Sequence, residues 1–200
     1  MKKLKKLRQL LAMLLTLLLC VGEFAATGLT VHAATEYDLW VGGVRVTSDN
    51  LDNIGGVTGT GAKASYDPTT KTLTFENVTG FVGTYNNAYI FATEDLTIDG
   101  DVSVTGNISA YGIYATENVT IKGDLAFEES SDNTEWECRV KVNGTLCVDG
   151  GSLYVDNYSA GTNAVLECSD LHVKSGSVTA YVQHYDGTAI EVVNELKIEG

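Results

Sequence analysis

One frame recurs five times in this chain at a nearly constant interval. AYIFATEDLTIDGDVSV begins at Ala88, YGIYATENVTIKGDLAF at Tyr111, RVKVNGTLCVDGGSLYV at Arg139, NAVLECSDLHVKSGSVTAYV at Asn163 and TAIEVVNELKIEG at Thr188. Each reads as a short apolar strand, a polar turn, a strand of the L-x-I or L-x-V type, a turn usually carrying glycine, and a third short strand. The last residues of the middle strands are Ile98, Ile121, Val148, Val173 and Ile198, and Phe75 in KTLTFENV aligns as an earlier member. A period of about 25 residues with period-two alternation and many Val, Ile, Thr and Tyr predicts three strands per repeat. A single coil of this kind cannot bury its own apolar side. Stacking the coils makes the core continuous, so the fold class is an all-β, right-handed parallel β-helix.

Alternation assigns the two sides of each strand. In the middle strands Leu96 and Ile98, Val119 and Ile121, Leu146 and Val148, Leu171 and Val173, and Leu196 and Ile198 are predicted to point inward. The third strands add Val102 and Val104, Leu125 and Phe127, Leu153 and Val155, and Val178 with Ala180. Thr97, Thr120, Cys147, His172 and Lys197 then form one outward column. A β-sandwich also accommodates this turn spacing, but it gives no reason for one frame to recur.

Residues 34–80 do not repeat. YDLWVGGVRVT reads as a strand, a Gly-rich loop spans Asn53 to Gly61, and Asp67-Pro68-Thr69-Thr70 is a turn between two strands. This stretch is expected to be an amino-terminal β cap, since an open first coil exposes apolar surface and strand edges. The rungs, 81–200, break off at Gly200 part-way through a coil. Further chain or a second chain over that end is the corresponding expectation.

Ahead of the cap, Lys2, Lys3, Lys5, Lys6 and Arg8 precede an apolar run from Leu10 to Val21 and a small-residue stretch ending at Ala33. This order predicts a secretory signal peptide over 1–33 and a secreted or cell-surface location. The run is too short to span a bilayer, which takes about 20 residues. Without the leader the chain keeps 8 of its 13 Lys/Arg and 25 of its 26 Asp/Glu, a formal charge of −17. Such a field repels nucleic acid and anionic lipid and attracts cations. Cys138, Cys147 and Cys168 remain, an odd number in a compartment that permits disulfides. They read as buried small side chains or isolated thiols, and neither His172 nor His184 has zinc-site spacing.

Two chemical features stand out. The turn before each middle strand carries acidic or amide side chains, Glu94-Asp95 and Glu117-Asn118 in neighbouring coils. At a coil spacing of roughly 4.8 Å, two carboxylates repel by roughly 3 kcal/mol at an effective dielectric of 20. A calcium ion with oxygen ligands removes that repulsion, so Glu94, Asp95, Glu117 and Asn118 are the candidate metal ligands, with Asp99, Asp101 and Asp124 as the alternative. A solvated acidic turn explains the same residues. The second feature is aromatic. Phe91 and Tyr114 are predicted outward in adjacent first strands, Tyr154 outward in a third strand, and Trp136 near a rung edge. Flat rings beside carboxylates and amides suit the C–H faces and hydroxyls of sugars, while half-buried Tyr is also simply a good strand residue.

Catalytic signatures are missing. A lyase acting on acidic polysaccharide needs a base and positive charge, and the rung cations Lys122, Arg139, Lys141, Lys174 and Lys197 are scattered. Carboxylate pairs at glycosidase spacing can be picked almost anywhere in so acidic a chain.

The opening YDLWVGGVRVT, the SYDPTTKTLTFENV hairpin and rungs of the GIYATENVTIKGD type resemble secreted proteins of clostridia and related Gram-positive bacteria, described as carbohydrate-binding β-helix domains. The likeness runs from Tyr37 onward and is one of repeat style and opening motif, with no catalytic signature in it. It implies a polysaccharide-lyase-like right-handed β-helix that binds plant or acidic polysaccharide without cleaving it and carries calcium. Cys147, His172 and Lys197 in the outward column, and the EESSDNTEWEC insertion, depart from that style. The expectation is therefore an extracellular, non-catalytic polysaccharide-binding module, with a surface adhesin or stalk as the alternative and a β-helix polysaccharide lyase third.

Overall fold

Strands of two to eighteen residues with β-branched and aromatic side chains follow one another without a helix among the described residues, which are 33–106, 110–129, 139–157, 164–182 and 187–199 of a computed structural model. Residues 1–32 of the predicted leader 1–33, and Trp136, lie outside them. The chain divides into Met1–Ala33 and Ala34–Gly200, and every strand given below lies in the second unit. The amino-terminal strands are β1 (Glu36–Val41), β2 (Val44–Thr47), β3 (Val57–Thr58), β4 (Lys63–Asp67), β5 (Thr72–Val78) and β6 (Gly80–Phe81). The coils follow as β7 (Ala88–Ala92), β8 (Leu96–Gly106), β9 (Tyr111–Ala115), β10 (Val119–Ile121) and β11 (Asp124–Glu129). The long strands β12 (Val140–Asn157), β13 (Leu166–Val182) and β14 (Ile190–Ile198) each turn a corner and serve more than one face.

Pairing between coils is parallel throughout, which makes a β-solenoid of about four turns and excludes the sandwich. The first face stacks β7, β9 and the leading parts of β12, β13 and β14. On the second face Ile98 pairs with Ile121, Ile121 with Val148, Val148 with Val173 and Val173 with Ile198. On the third, Val102, Leu125, Leu153 and Val178 are in register. The outward column Thr97, Thr120, Cys147, His172, Lys197 is in register as the alternation predicts.

The earliest coil differs by two residues from the sequence alignment. Leu73, not Phe75, pairs with Ile98, and Phe75 sits opposite Gly100. A shift of two keeps Phe75 facing inward, where it is buried. The coil register thus reaches back into 34–80, since β5 already runs parallel to β8. The strands beyond it run the other way. β1 pairs antiparallel with β7, and β4 antiparallel with β5, so the first coil is covered on two faces by reversed strands.

The core is the predicted one, with Ile98, Ile121, Leu125, Phe127, Leu146, Val148 and Val155 fully or nearly fully buried. Burial fades at the last coil. Leu171 and Val173 are covered by β14, whereas Leu196 and Ile198, predicted inward, are 59% and 70% exposed, β14 being paired on one side only among the described residues.

At the corner between the second and third faces the glycines form a ladder. A Cβ on Gly123 would fall 1.9 Å from the carbonyl oxygen of Gly100, and one on Gly151 would fall 2.1 Å from that of Gly123. The coils approach one another there with no room for a side chain. Gly123→Ala is therefore expected to destabilise by about 2–3 kcal/mol, the range of overpacking, or roughly 5–10 °C in Tm for a domain this size. Thr120→Ala, three residues away on the outer column, should stay within about 0.5 kcal/mol. Thermal unfolding followed by circular dichroism distinguishes the two.

Candidate functional site

The outer side of the first face carries a continuous column. Backbone pairing places Arg45 beside Trp40, Trp40 beside Phe91, Phe91 beside Tyr114, Tyr114 beside Lys141, Lys141 beside Glu167 and Glu167 beside Glu191. These seven residues come from seven different strands. Strand spacing sets neighbours roughly 4.8 Å apart along the solenoid axis. Its second to fourth members, Trp40, Phe91 and Tyr114, are aromatic, and Trp40 joins them because β1 continues the sheet beyond β7.

The rings touch one another. Trp40 and Tyr85 stack with centroids 4.2 Å apart and planes 5° from parallel, and Phe91 meets Trp40, Tyr85 and Tyr114 at 5.6, 5.4 and 5.4 Å in tilted or edge-on contacts. Tyr111 meets Tyr114 at 5.3 Å. The Arg45 guanidinium lies 4.9 Å from the centre of the Trp40 ring, a cation–π contact. Arg45 is also ion-paired with Glu36 and Asp38, and its Nε donates to the Tyr37 carbonyl. At the far end Lys141 Nζ donates to both Glu167 oxygens at 2.9 and 3.0 Å. Each cation of the column thus has a carboxylate against it, and the column is close to neutral where it is aromatic.

Of the sequence-predicted aromatics, Phe91 and Tyr114 are brought together and Tyr154 is not. Phe91 does point away from the lumen, but it is only 7% exposed, because Trp40 and Tyr85 cover it. It is the floor of the cluster and not a free contact surface. Tyr114 is half-buried. Tyr154 pairs with Ala126 and Thr179 on the third face, away from the column. The sequence reading missed Trp40, assigned to the cap, along with Arg45 and the Tyr85 stack. No repeat could reveal them, since β1 joins the coils by antiparallel pairing.

The candidate metal ligands hold one another or other protein groups. Glu94 is ion-paired to Lys71 at 2.6 Å. Asp95 Oδ1 accepts the Asn118 backbone N–H at 3.2 Å and its Nδ2–H at 3.0 Å, and Asn118 Oδ1 accepts the Thr145 N–H at 2.8 Å in the next coil. These bonds run from coil to coil up one corner and satisfy backbone donors that the turn leaves without ladder partners. Of the alternative set, Asp99 caps the Gly100 N–H and Asp124 accepts the Ser152 hydroxyl. Among the described residues no three His, Cys, Asp or Glu side chains converge as a cation site. A calcium ion at Glu94, Asp95, Glu117 and Asn118 would compete with Lys71 for Glu94 and with the Asn118 amide for Asp95.

Three other rung cations are also occupied. Lys174 faces Asp149 and Lys197 faces Glu199, while Arg139 is fully buried beside Asn157 and the Ala110 carbonyl. In the outward column of the second face, His172 lies 3.5 Å from Glu195. Cys147 and Cys168 are both free thiols. Burial, then the charges of Asp170 and Glu167, push the Cys168 thiol up to about 11.

Comparison of the chain with protein-family models, with curated proteins and with solved structures returns no match. What the geometry defines is a class, a parallel β-solenoid with an aromatic column on one outer face.

Two measurements check this description. Asn118→Ala removes the bonds to Asp95 and Thr145 and should destabilise by about 1–2 kcal/mol, read in urea unfolding. Cys168 should resist alkylation in the folded chain near pH 8 and react once the chain is denatured, because a thiol with so high a pKa offers little thiolate below pH 10. Its rate should climb with each pH unit up to about 11. Mass-spectrometric mapping of labelled cysteines reports both.

Proposed function

We propose that this chain is an extracellular, non-catalytic polysaccharide-binding module. The observation that carries the reading is the column Trp40–Phe91–Tyr114 with Tyr85 and Tyr111 beside it, an aromatic strip on an otherwise Thr-, Ser- and carboxylate-rich exterior. Ring edges and the exposed side of Tyr85 offer apolar contact to sugar C–H groups, and the tyrosine hydroxyls and flanking carboxylates offer hydrogen bonds. The strip runs along the solenoid axis with a repeat close to one sugar residue per coil, so a regular polymer would lie across the strands. The leader read from the sequence supports an extracellular location.

The alternative is a surface adhesin or stalk, in which the solenoid spaces other parts and the partner is a protein. The uneven distribution of aromatics favours the glycan reading, since a spacer has no use for a strip on one face. A polysaccharide lyase is third. Lys141, Lys174 and Lys197 each face a carboxylate, which leaves them poorly suited to stabilise an enolate-like anion. Calcium enters the test as a condition and has no step in this reading.

The experiment is retention of the purified chain on insoluble and soluble polysaccharides, with calcium and then with chelator, alongside an assay for released sugar. Retention without release is the expected result. Tyr85→Ala and Tyr114→Ala should each weaken it about two- to tenfold, the worth of one aromatic contact, while Tyr154→Ala on the third face should leave it unchanged. Failure to bind any glycan would overturn the reading in favour of the adhesin or stalk.

A further inference from the structure

The aromatic strip is bordered along one side by hydroxyls and carboxylates. Two residues along from Trp40, Phe91 and Tyr114 lie Asp38, Thr93 and Thr116, and alternation keeps them on the same outer side. The Thr93 N–H donates to the Asp38 carbonyl and the Thr116 N–H to that of Ala92, so this second column is in register with the rings. Along the same border Glu36, Asp38, Glu94 and Asp95 line one cavity of about 80 Å³. Glu36, Asp38 and Glu94 are each more than half exposed, and Glu117 is exposed in the next coil. A chain lying on the rings has these carboxylates along its flank.

Positive charge at the strip is already engaged. Arg45 is paired with Glu36 and Asp38, Lys71 with Glu94, and Lys141 with both oxygens of Glu167. The four carboxylates of the cavity are met by two cations, Arg45 and Lys71, which leaves an excess of two negative charges before Glu117 is counted. The wider field has the same sign, with a formal charge of −13 for the whole chain. A uronate group arriving at the rings would meet like charge, and it could gain a cation only by displacing a protein carboxylate. Like charges set together at an interface are an effective way to exclude a partner that otherwise fits. A hydroxyl or an ammonium group meets no such repulsion.

We propose that the aromatic strip selects its polymer by charge, accepting uncharged and amino-sugar chains and rejecting uronic-acid chains, with Glu36, Asp38, Glu94 and Asp95 as the selecting residues. This selection rests on the glycan reading and narrows it. It runs against the acidic polysaccharide that the sequence resemblance implies. Because the selecting carboxylates stand at an exposed border, they act through solvent, and salt weakens them.

The full chain is tested on each neutral polysaccharide of the retention experiment beside the same polymer carrying carboxymethyl or aminoethyl groups, so that added bulk is matched and charge changes sign. Chelator is present throughout, which removes any calcium bridge between carboxylates. At low salt, about 0.01 M, the carboxymethyl form should bind about tenfold or more weakly than the aminoethyl form, and at about 1 M salt the two should converge. Glu36→Gln with Asp38→Asn leaves Arg45 without its carboxylates and should narrow the low-salt ratio about threefold or more. Both forms are measured on one preparation, so a damaged fold moves them alike and leaves the ratio in place. A carboxymethyl form held as tightly as the aminoethyl form at low salt overturns the selection and leaves the glycan reading standing. A ratio unmoved by the double substitution does the same. Retention of none of the polymers removes both.

Discussion

Parallel backbone hydrogen bonding between successive coils, at one strand spacing, organises everything else in this molecule. It requires that every corner tolerate a neighbour at that distance. Where the coils crowd most, glycine is the residue present, and Gly100, Gly123, Gly151 and Gly176 each approach the carbonyl of the coil beneath. At another corner Asp95, Asn118 and Thr145 pass hydrogen bonds upward and supply the partners that the turn cannot. The core is then a set of columns: Leu, Ile and Val in the middle strands, with Phe127 between Val104 and Val155 in the third.

The same stacking makes the exterior a set of columns, and their chemistry follows from which residue each coil contributes. Thr97, Thr120, Cys147, His172 and Lys197 form one, with no unifying chemistry. The aromatic column forms another, and it owes two of its seven members to strands that are not coils. Trp40 and Arg45 reach it because β1 adds to β7 in reverse. The segment that covers the first coil therefore also builds the surface to which we assign binding, and Phe91 serves as packing beneath Trp40 and Tyr85.

The two ends of the solenoid are unlike. At the start, reversed strands cover the first coil and its apolar side chains are buried. At the other end burial falls within one coil from Val173 to Ile198. A stacked repeat gains stability from its neighbours, and among the described residues β14 has a neighbour on one side only.

Much of the architecture was legible in the amino-acid order. Period-two alternation, β-branched content and the recurring frame determine strands, inward and outward sides and the register of the coils from Ile98 to Ile198, because pairing in a solenoid is between equivalent positions of successive repeats. Phe75 was misplaced by two residues: Leu73 is the partner of Ile98, and the register breaks between Phe75 and Val78, where the first coil turns its corner. Tertiary structure alone decided what no repeat encodes: that Trp40 pairs with Phe91, that Tyr85 stacks on Trp40, that Glu94 is claimed by Lys71, and that Leu196 and Ile198 are exposed. Antiparallel pairing and side-chain ion pairs join positions of unrelated sequence, and only the folded backbone brings them within reach.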